Sequence, residues 1–103
     1  MAIDPQLAPF IARLNEAWPE PVLSLPVDVW RERVERLSAA ARTPYPDGLE
    51  VETLIIDAQR PVRVRIYRPR AQRALPALVY MHGGGWVIGS IDSHDSITAA
   101  IAA

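Results

Sequence analysis

Apolar residues recur at helical spacing in two stretches near the start of the chain and at strand spacing beyond residue 48. Leu7, Ile11, Leu14 and Trp18 follow one another at intervals of four, three and four, which predicts a helix over residues 4–18. Asp4 is a suitable N-cap and Pro5 suits the first helical position, while Pro9 moves the regular helix towards Ala8. Pro19 and Pro21 end it. Trp30, Val34, Leu37 and Ala41 predict a second helix over residues 27–41, with Ser24 or Asp28 as cap and Glu32–Arg36 as an i,i+4 pair on its wet face. The stripes of both helices, Leu7, Ile11, Leu14, Trp18, Trp30 and Val34, are expected to face an interior or a pocket. Thr43-Pro44-Tyr45-Pro46-Asp47-Gly48 halts helical structure and marks a boundary.

Residues 50–57 predict a first strand. After Ala58-Gln59-Arg60-Pro61, residues 62–68 alternate Val62, Val64 and Ile66 with Arg63 and Arg65, the pattern of a half-buried antiparallel strand with its valines inward. Residues 75–81 (LPALVYM) form a nearly continuous apolar run that predicts a strand buried on both faces, as in a parallel α/β sheet. Gly83-Gly84-Gly85 follows directly. Residues 93–103 predict a helix, capped by Asp92 or Ser93, with Ile97 and Ile101 on its apolar face. The last residue lies inside that helix, so the chain is expected to be the N-terminal piece of a larger protein. Alone it should be unstable or self-associated, because an unfinished sheet exposes a central apolar strand.

Composition narrows the function classes. The chain has 103 residues, a net charge of -1 and 50% hydrophobic residues, a globular balance with no global pull towards nucleic acid. With no cysteine, disulfides and thiol chemistry are excluded, and two histidines are too few for a His-rich metal site. No apolar run approaches the ~18 residues of a membrane span, and the N-terminus lacks the pattern of a signal peptide. A cytoplasmic protein is the expectation. All 11 basic residues are arginine. Six of them, Arg60, Arg63, Arg65, Arg68, Arg70 and Arg73, form a run without an acid, read here as the solvated face and end of a strand rather than a nucleic-acid patch.

The chemistry lies in residues 75–95. Where a chain leaves a sheet, its amides lose their ladder partners. Glycine lets several adjacent N–H groups converge on one spot, and such a nest stabilises an oxygen that becomes negative in a transition state. His82-Gly83-Gly84-Gly85-Trp86 resembles the HGGG loop of the α/β-hydrolases, and within them the bacterial hormone-sensitive-lipase-like (family IV) carboxylesterases. Ile66-Tyr67-Arg68-Pro69 resembles that family's second strand, Leu75 to Tyr80 its third, and Gly89 with His94-Asp95 the following loop and helix start. The N-terminal helices resemble its cap.

The resemblance implies an α/β fold in two parts: a cap segment over residues 1–46 and the start of an α/β-hydrolase core over residues 47–103. It implies hydrolysis of short to medium acyl esters by a serine nucleophile, without metal or cofactor. Gly84 and Gly85 would donate backbone N–H groups to the oxyanion. Gly83 would shape the turn, His82 would brace the loop, and Trp86 would line the substrate pocket. The partners implied are an ester substrate and either the remainder of the hydrolase or a second copy to complete the sheet.

Two departures matter. The family's G-x-S-x-G elbow is absent: none of Ser24, Ser38, Ser90, Ser93 and Ser96 has flanking glycines at that spacing, so the nucleophile, acid and base are not expected in these 103 residues. Ser93-His94-Asp95 is not expected to be a triad, since adjacent residues project in different directions. His94 reads as a packing residue at the helix start and Asp95 as a first-turn acid favoured by the helix dipole. The alternative to an enzyme is a small-molecule receptor on the same fold, as in plant gibberellin receptors. An interaction module whose glycines form a plain tight turn is a third reading.

Overall fold

The structure is a computed structural model that describes residues 3–18, 21, 24–70 and 74–103. Along the chain come helices α1 (Ala8–Ala17) and α2 (Val27–Ala40), strands β1 (Leu49–Ile56) and β2 (Val62–Pro69), and helix α3 (Asp95–Ala102). Helix α1 begins where Pro9 allows it, with Leu7 as its N-cap. Asp4 caps something else: its carboxylate accepts the Gln6 amide at 2.8 Å, and its carbonyl accepts the Leu7 amide, closing a separate turn before the helix. Helix α2 starts after Pro26, whose extended backbone already turns the chain into the helix, and no side chain caps it. The Ser24 hydroxyl donates instead to the Pro21 carbonyl. Glu32 and Arg36 pair at 3.9 Å on the exposed face.

Strands β1 and β2 form an antiparallel hairpin, in register from Leu49↔Pro69 to Ile56↔Val62. The burial of β2 does not alternate as the sequence predicts: Val64, Arg65, Ile66 and Tyr67 are all half-buried. Helix α3 packs on β2 over the Arg63, Arg65 and Tyr67 side, and Val62 remains 51% exposed. Among the described arginines of the run, Arg60, Arg63, Arg68 and Arg70 are exposed as expected, and Arg65 alone is drawn in. Asp92 and Asp95 pair with Arg65, whose side chain is 13% exposed, and Asp92 also pairs with the more exposed Arg63.

Two further expectations are corrected. Residues 75–81 form no strand: Leu78, Val79 and Met81 stand 73%, 83% and 86% exposed. A strand exists only through a ladder with a neighbour, and among the described residues the only sheet is β1–β2. The apolar stripe of α3 also points outward, with Ile97 and Ile101 each 52% exposed, while Asp95 and Ala99, one turn apart, are buried. The N-terminal stripes divide. Leu7 and Leu14 are exposed, whereas Ile11, Trp18, Trp30 and Val34 are half-buried. Among the described residues no helix is long and apolar enough to cross a membrane.

Candidate active site

The glycine loop is built around one carbonyl. The amides of Val87 and Ile88 both donate to the Gly84 carbonyl at 3.1 Å, which coils residues 84–88 into a tight turn. Gly84, Gly85 and Trp86 have φ of 126°, 58° and 59°, three successive left-handed residues. For Trp86 that conformation costs roughly 1–2 kcal/mol. Local strain of this kind is retained where the surroundings enforce it. Among the described residues, the amides of Gly84 and Gly85 meet no acceptor. A Cβ on Gly84 would lie 2.0 Å from the Ile88 carbonyl oxygen, so only glycine fits there; space is open at Gly83 and Gly85.

His82 and His94 close the loop from below. Their rings stack with centroids 5.2 Å apart. His82 Nδ1 lies 2.8 Å from the Gly83 carbonyl, which can only accept, so this nitrogen carries the proton in that contact. Gly89 seats the return of the loop against both rings. Its φ is 91°, and an added Cβ would stand 2.9 Å from the Gly83 oxygen, 3.0 Å from His82 Nδ1 and 3.3 Å from His94 Cε1. Gly89→Ala is therefore expected to destabilise the protein by about 2 kcal/mol, combining left-handed strain with overpacking. The midpoint of urea unfolding checks this.

The loop is tied to its neighbours by a serine turn. The Ser90 hydroxyl accepts the amides of Asp92 and Ser93, and the Ser93 hydroxyl accepts the Ser90 amide at 2.7 Å. Ser93 Oγ also lies 3.1 Å from His94 Nδ1. That contact is closer than the directional argument allowed, because both residues precede the regular helix. It does not extend to a triad, since the third member, Asp95, is turned away and fully engaged elsewhere.

Asp95 is an acid of the first turn of α3, as expected, and it is also the centre of a buried cluster. It is 1% exposed. Its carboxylate accepts hydrogen bonds from Arg65 Nη1 at 2.8 Å, from the Tyr67 hydroxyl and from the Tyr45 hydroxyl at 2.9 Å, and Arg42 Nε stands 3.7 Å away. Asp92 pairs with Arg63 and, at 2.7 Å, with Arg65. Burial pushes the Asp95 carboxyl up, but hydrogen bonds from Tyr67, Arg65 and Tyr45 outweigh it and hold it below the usual carboxylate range. Hydrogen bonding from Arg65 holds Asp92 low as well. Burial and the bond to Asp95 push both tyrosine hydroxyls up. The cluster joins the segment after α2, strand β2 and helix α3 immediately behind the loop. Sequence reasoning missed it; the available signal was an arginine run without local acids, facing two aspartates three residues apart.

Val34, Gly83, Gly84, Ile88, Gly89 and His94 surround an open concavity of about 220 Å³. Gly83 and Gly84 thus sit at its wall with His94 beneath, and α2 contributes Val34. Trp86 stands outside it, fully exposed.

The chain is similar in sequence and in fold to known proteins. Residues 78–103 match the family described as alpha/beta hydrolase fold, and the architecture is that of part of an α/β-hydrolase fold. It is 36% identical over 107 residues to ethyl acetate hydrolase of Pseudomonas putida, covering 94% of this chain and 33% of that protein. It is 32% identical over 98 residues to carboxylesterase NlhH of Mycobacterium tuberculosis, covering 93% and 31%. A solved ester hydrolase from the metagenome of Lake Arreo, complexed with a derivative of bipyridine phosphonate, superposes with a TM-score of 0.76 at 32% identity over 92% of this chain and 32% of that one. The chain spans about a third of the length of the relatives it matches.

Proposed function

We propose that these 103 residues are the cap segment, oxyanion loop and first core elements of a carboxylic ester hydrolase, acting on short to medium acyl esters through a serine nucleophile supplied outside them. Residues 1–46 serve as the cap and residues 47–103 as the start of the core. The observation that carries this reading is the Gly84-Gly85-Trp86 turn, whose left-handed backbone leaves two adjacent amides free, the first of them on a residue that lines the concavity. Amides fixed in this way bind a carbonyl oxygen more strongly as it becomes an oxyanion, and they need no reorganisation when the charge develops. The similarity to ethyl acetate hydrolase and carboxylesterase NlhH supports an ester as the substrate. Gly83 shapes the approach, His82 and His94 support the loop from beneath, and Trp86 is free to contact an acyl or alcohol group arriving from outside.

The test is turnover of 4-nitrophenyl acetate and butanoate by the complete protein, together with covalent labelling by an activated phosphonate ester. The expected result is hydrolysis that the phosphonate abolishes at one-to-one stoichiometry. Tight binding of small molecules without turnover or labelling would replace the enzyme reading with a receptor.

A further inference from the structure

We infer that Arg31 and Glu35, one turn apart on α2, are positioning residues for the oxyanion loop, so that the N-terminal helix acts as a brace on the catalytic loop as well as a cover. This rests on the ester-hydrolase reading and deepens it. Arg31 Nε donates to the Val87 carbonyl at 2.6 Å. Glu35 Oε2 accepts the Ser90 hydroxyl at 3.0 Å. Val34, between them on the same face of the helix, lines the concavity.

These contacts fall where they control the loop. The Val87 carbonyl shares its peptide unit with the Ile88 amide, which donates to the Gly84 carbonyl, so Arg31 holds one of the two peptide units that close the left-handed turn. Ser90 organises the exit: its hydroxyl takes the amides of Asp92 and Ser93 and gives its own proton to Glu35. Without Glu35, that proton has no carboxylate partner and the serine turn loses its tie to α2. The same line of contacts continues beyond the helix, where Arg42 reaches the Asp92 carbonyl, the Thr43 amide reaches Ser96 Oγ and Tyr45 reaches Asp95. Helix α2 and the segment that follows it, from residue 31 to residue 45, thus contact the loop and the start of α3 at successive points. The loop itself is short of anchors, because its glycines have no side chains and its amides must stay free for substrate. Its position has to be imposed from outside, and α2 holds its closing turn at Val87 and its exit at Ser90.

The experiment uses the complete protein with Arg31→Ala, Glu35→Ala, Arg31→Lys and Glu35→Gln, and Arg36→Ala as a control on the exposed face of the same helix. Displacement of a catalytic loop by a fraction of an ångström to 1 Å lowers kcat by about 10- to 100-fold. That loss is expected in both alanine variants with KM within about twofold, alongside faster amide exchange at Val87 and Ile88. Lysine retains one donor for Val87 and glutamine one acceptor for Ser90, so each conservative variant should recover most of the rate. Arg36→Ala should match the unsubstituted protein. Unchanged kcat and unchanged exchange in both alanine variants would overturn the brace, as would a rise in KM alone, which would make α2 a substrate wall only. An unsubstituted protein that turns over no ester overturns the hydrolase reading itself, a separate result read before any variant is made.

Discussion

Gly84→Ala is expected to lower kcat for an activated ester by about 10²–10³, with KM changed far less. Two features make this position the most sensitive in the loop. Its φ of 126° lies where an L side chain is strained, and the new methyl would sit 2.0 Å from the Ile88 carbonyl oxygen and 2.8 Å from its carbon. That neighbour is backbone and cannot swing aside as a side chain could. Either the turn opens, losing the bonds from Val87 and Ile88 to the Gly84 carbonyl, or residues 84–88 shift together. Both outcomes move the amides of Gly84 and Gly85 relative to the reacting carbonyl. Loss of one oxyanion donor costs roughly 2.7–4 kcal/mol of transition-state stabilisation. The cost falls on kcat because the amides bind the oxyanion more tightly than the ground-state carbonyl. The neighbouring glycines supply the contrast. Gly85 has open space and a φ of 58°, which alanine adopts at a cost of roughly 1–2 kcal/mol, and Gly83 has open space and no positive φ. Steady-state kinetics of the three alanine variants should therefore rank Gly84 well above Gly85, and Gly85 above Gly83. A flat ranking would mean that the turn does not hold the oxyanion donors.

The features legible in the sequence were those set by neighbours along the chain. Helix α2 and strands β1 and β2 lie within about one residue of the stretches whose periodicity predicted them, because turn and strand punctuation at Pro26, Gly48 and Pro61 is local chemistry. The glycine loop was legible for the same reason: a left-handed backbone demands glycine wherever it occurs. Contacts set across the chain were not legible. The apolar run at 75–81 was read as a strand from its own composition, yet a strand is defined by its neighbour. The faces of β2 and α3 were assigned by hydrophobicity, whereas the Asp92 and Asp95 carboxylates hold Arg65 and Tyr67 half-buried alongside Val64 and Ile66, and Ile97 and Ile101 lie outward. A buried carboxylate gathers every donor within reach, and that demand outranks a two-residue apolar stripe. Gly89 was noted as part of a motif, but its contact with the two histidines appears only once the loop is folded back.

Asp95→Asn is expected to destabilise the protein by about 3 kcal/mol and to remove much of its sensitivity to acid. Every group around this carboxylate is a donor: Arg65, Tyr67, Tyr45 and, at longer range, Arg42. An asparagine keeps one acceptor oxygen but presents an NH₂ group to donors, so at least one hydroxyl or guanidinium N–H is left without a partner in a buried site. Breaking a buried ion pair by removing one member costs about 3–5 kcal/mol, and the lower end applies because Arg65 retains Asp92. The pH dependence follows from the direction of each shift. Asp92 and Asp95 are held below the ordinary carboxylate value, so their contribution is complete above about pH 4 and is lost as pH falls through their lower folded-state values. Tyr45 and Tyr67 are pushed up, so the contribution of their protonated hydroxyls is complete below about pH 10 and is lost as pH rises through their raised values. Urea midpoints across pH should therefore form a plateau that falls at both ends, and Asp95→Asn should lower the plateau and flatten its acid edge. The glycine loop meets α3 at this cluster, so the variant should also speed amide exchange at Ser93 and His94 at neutral pH. An unchanged acid edge would show that Asp95 does not carry the charge that fixes α3 against β2, and the registry of the loop would then have to be set by α2 alone.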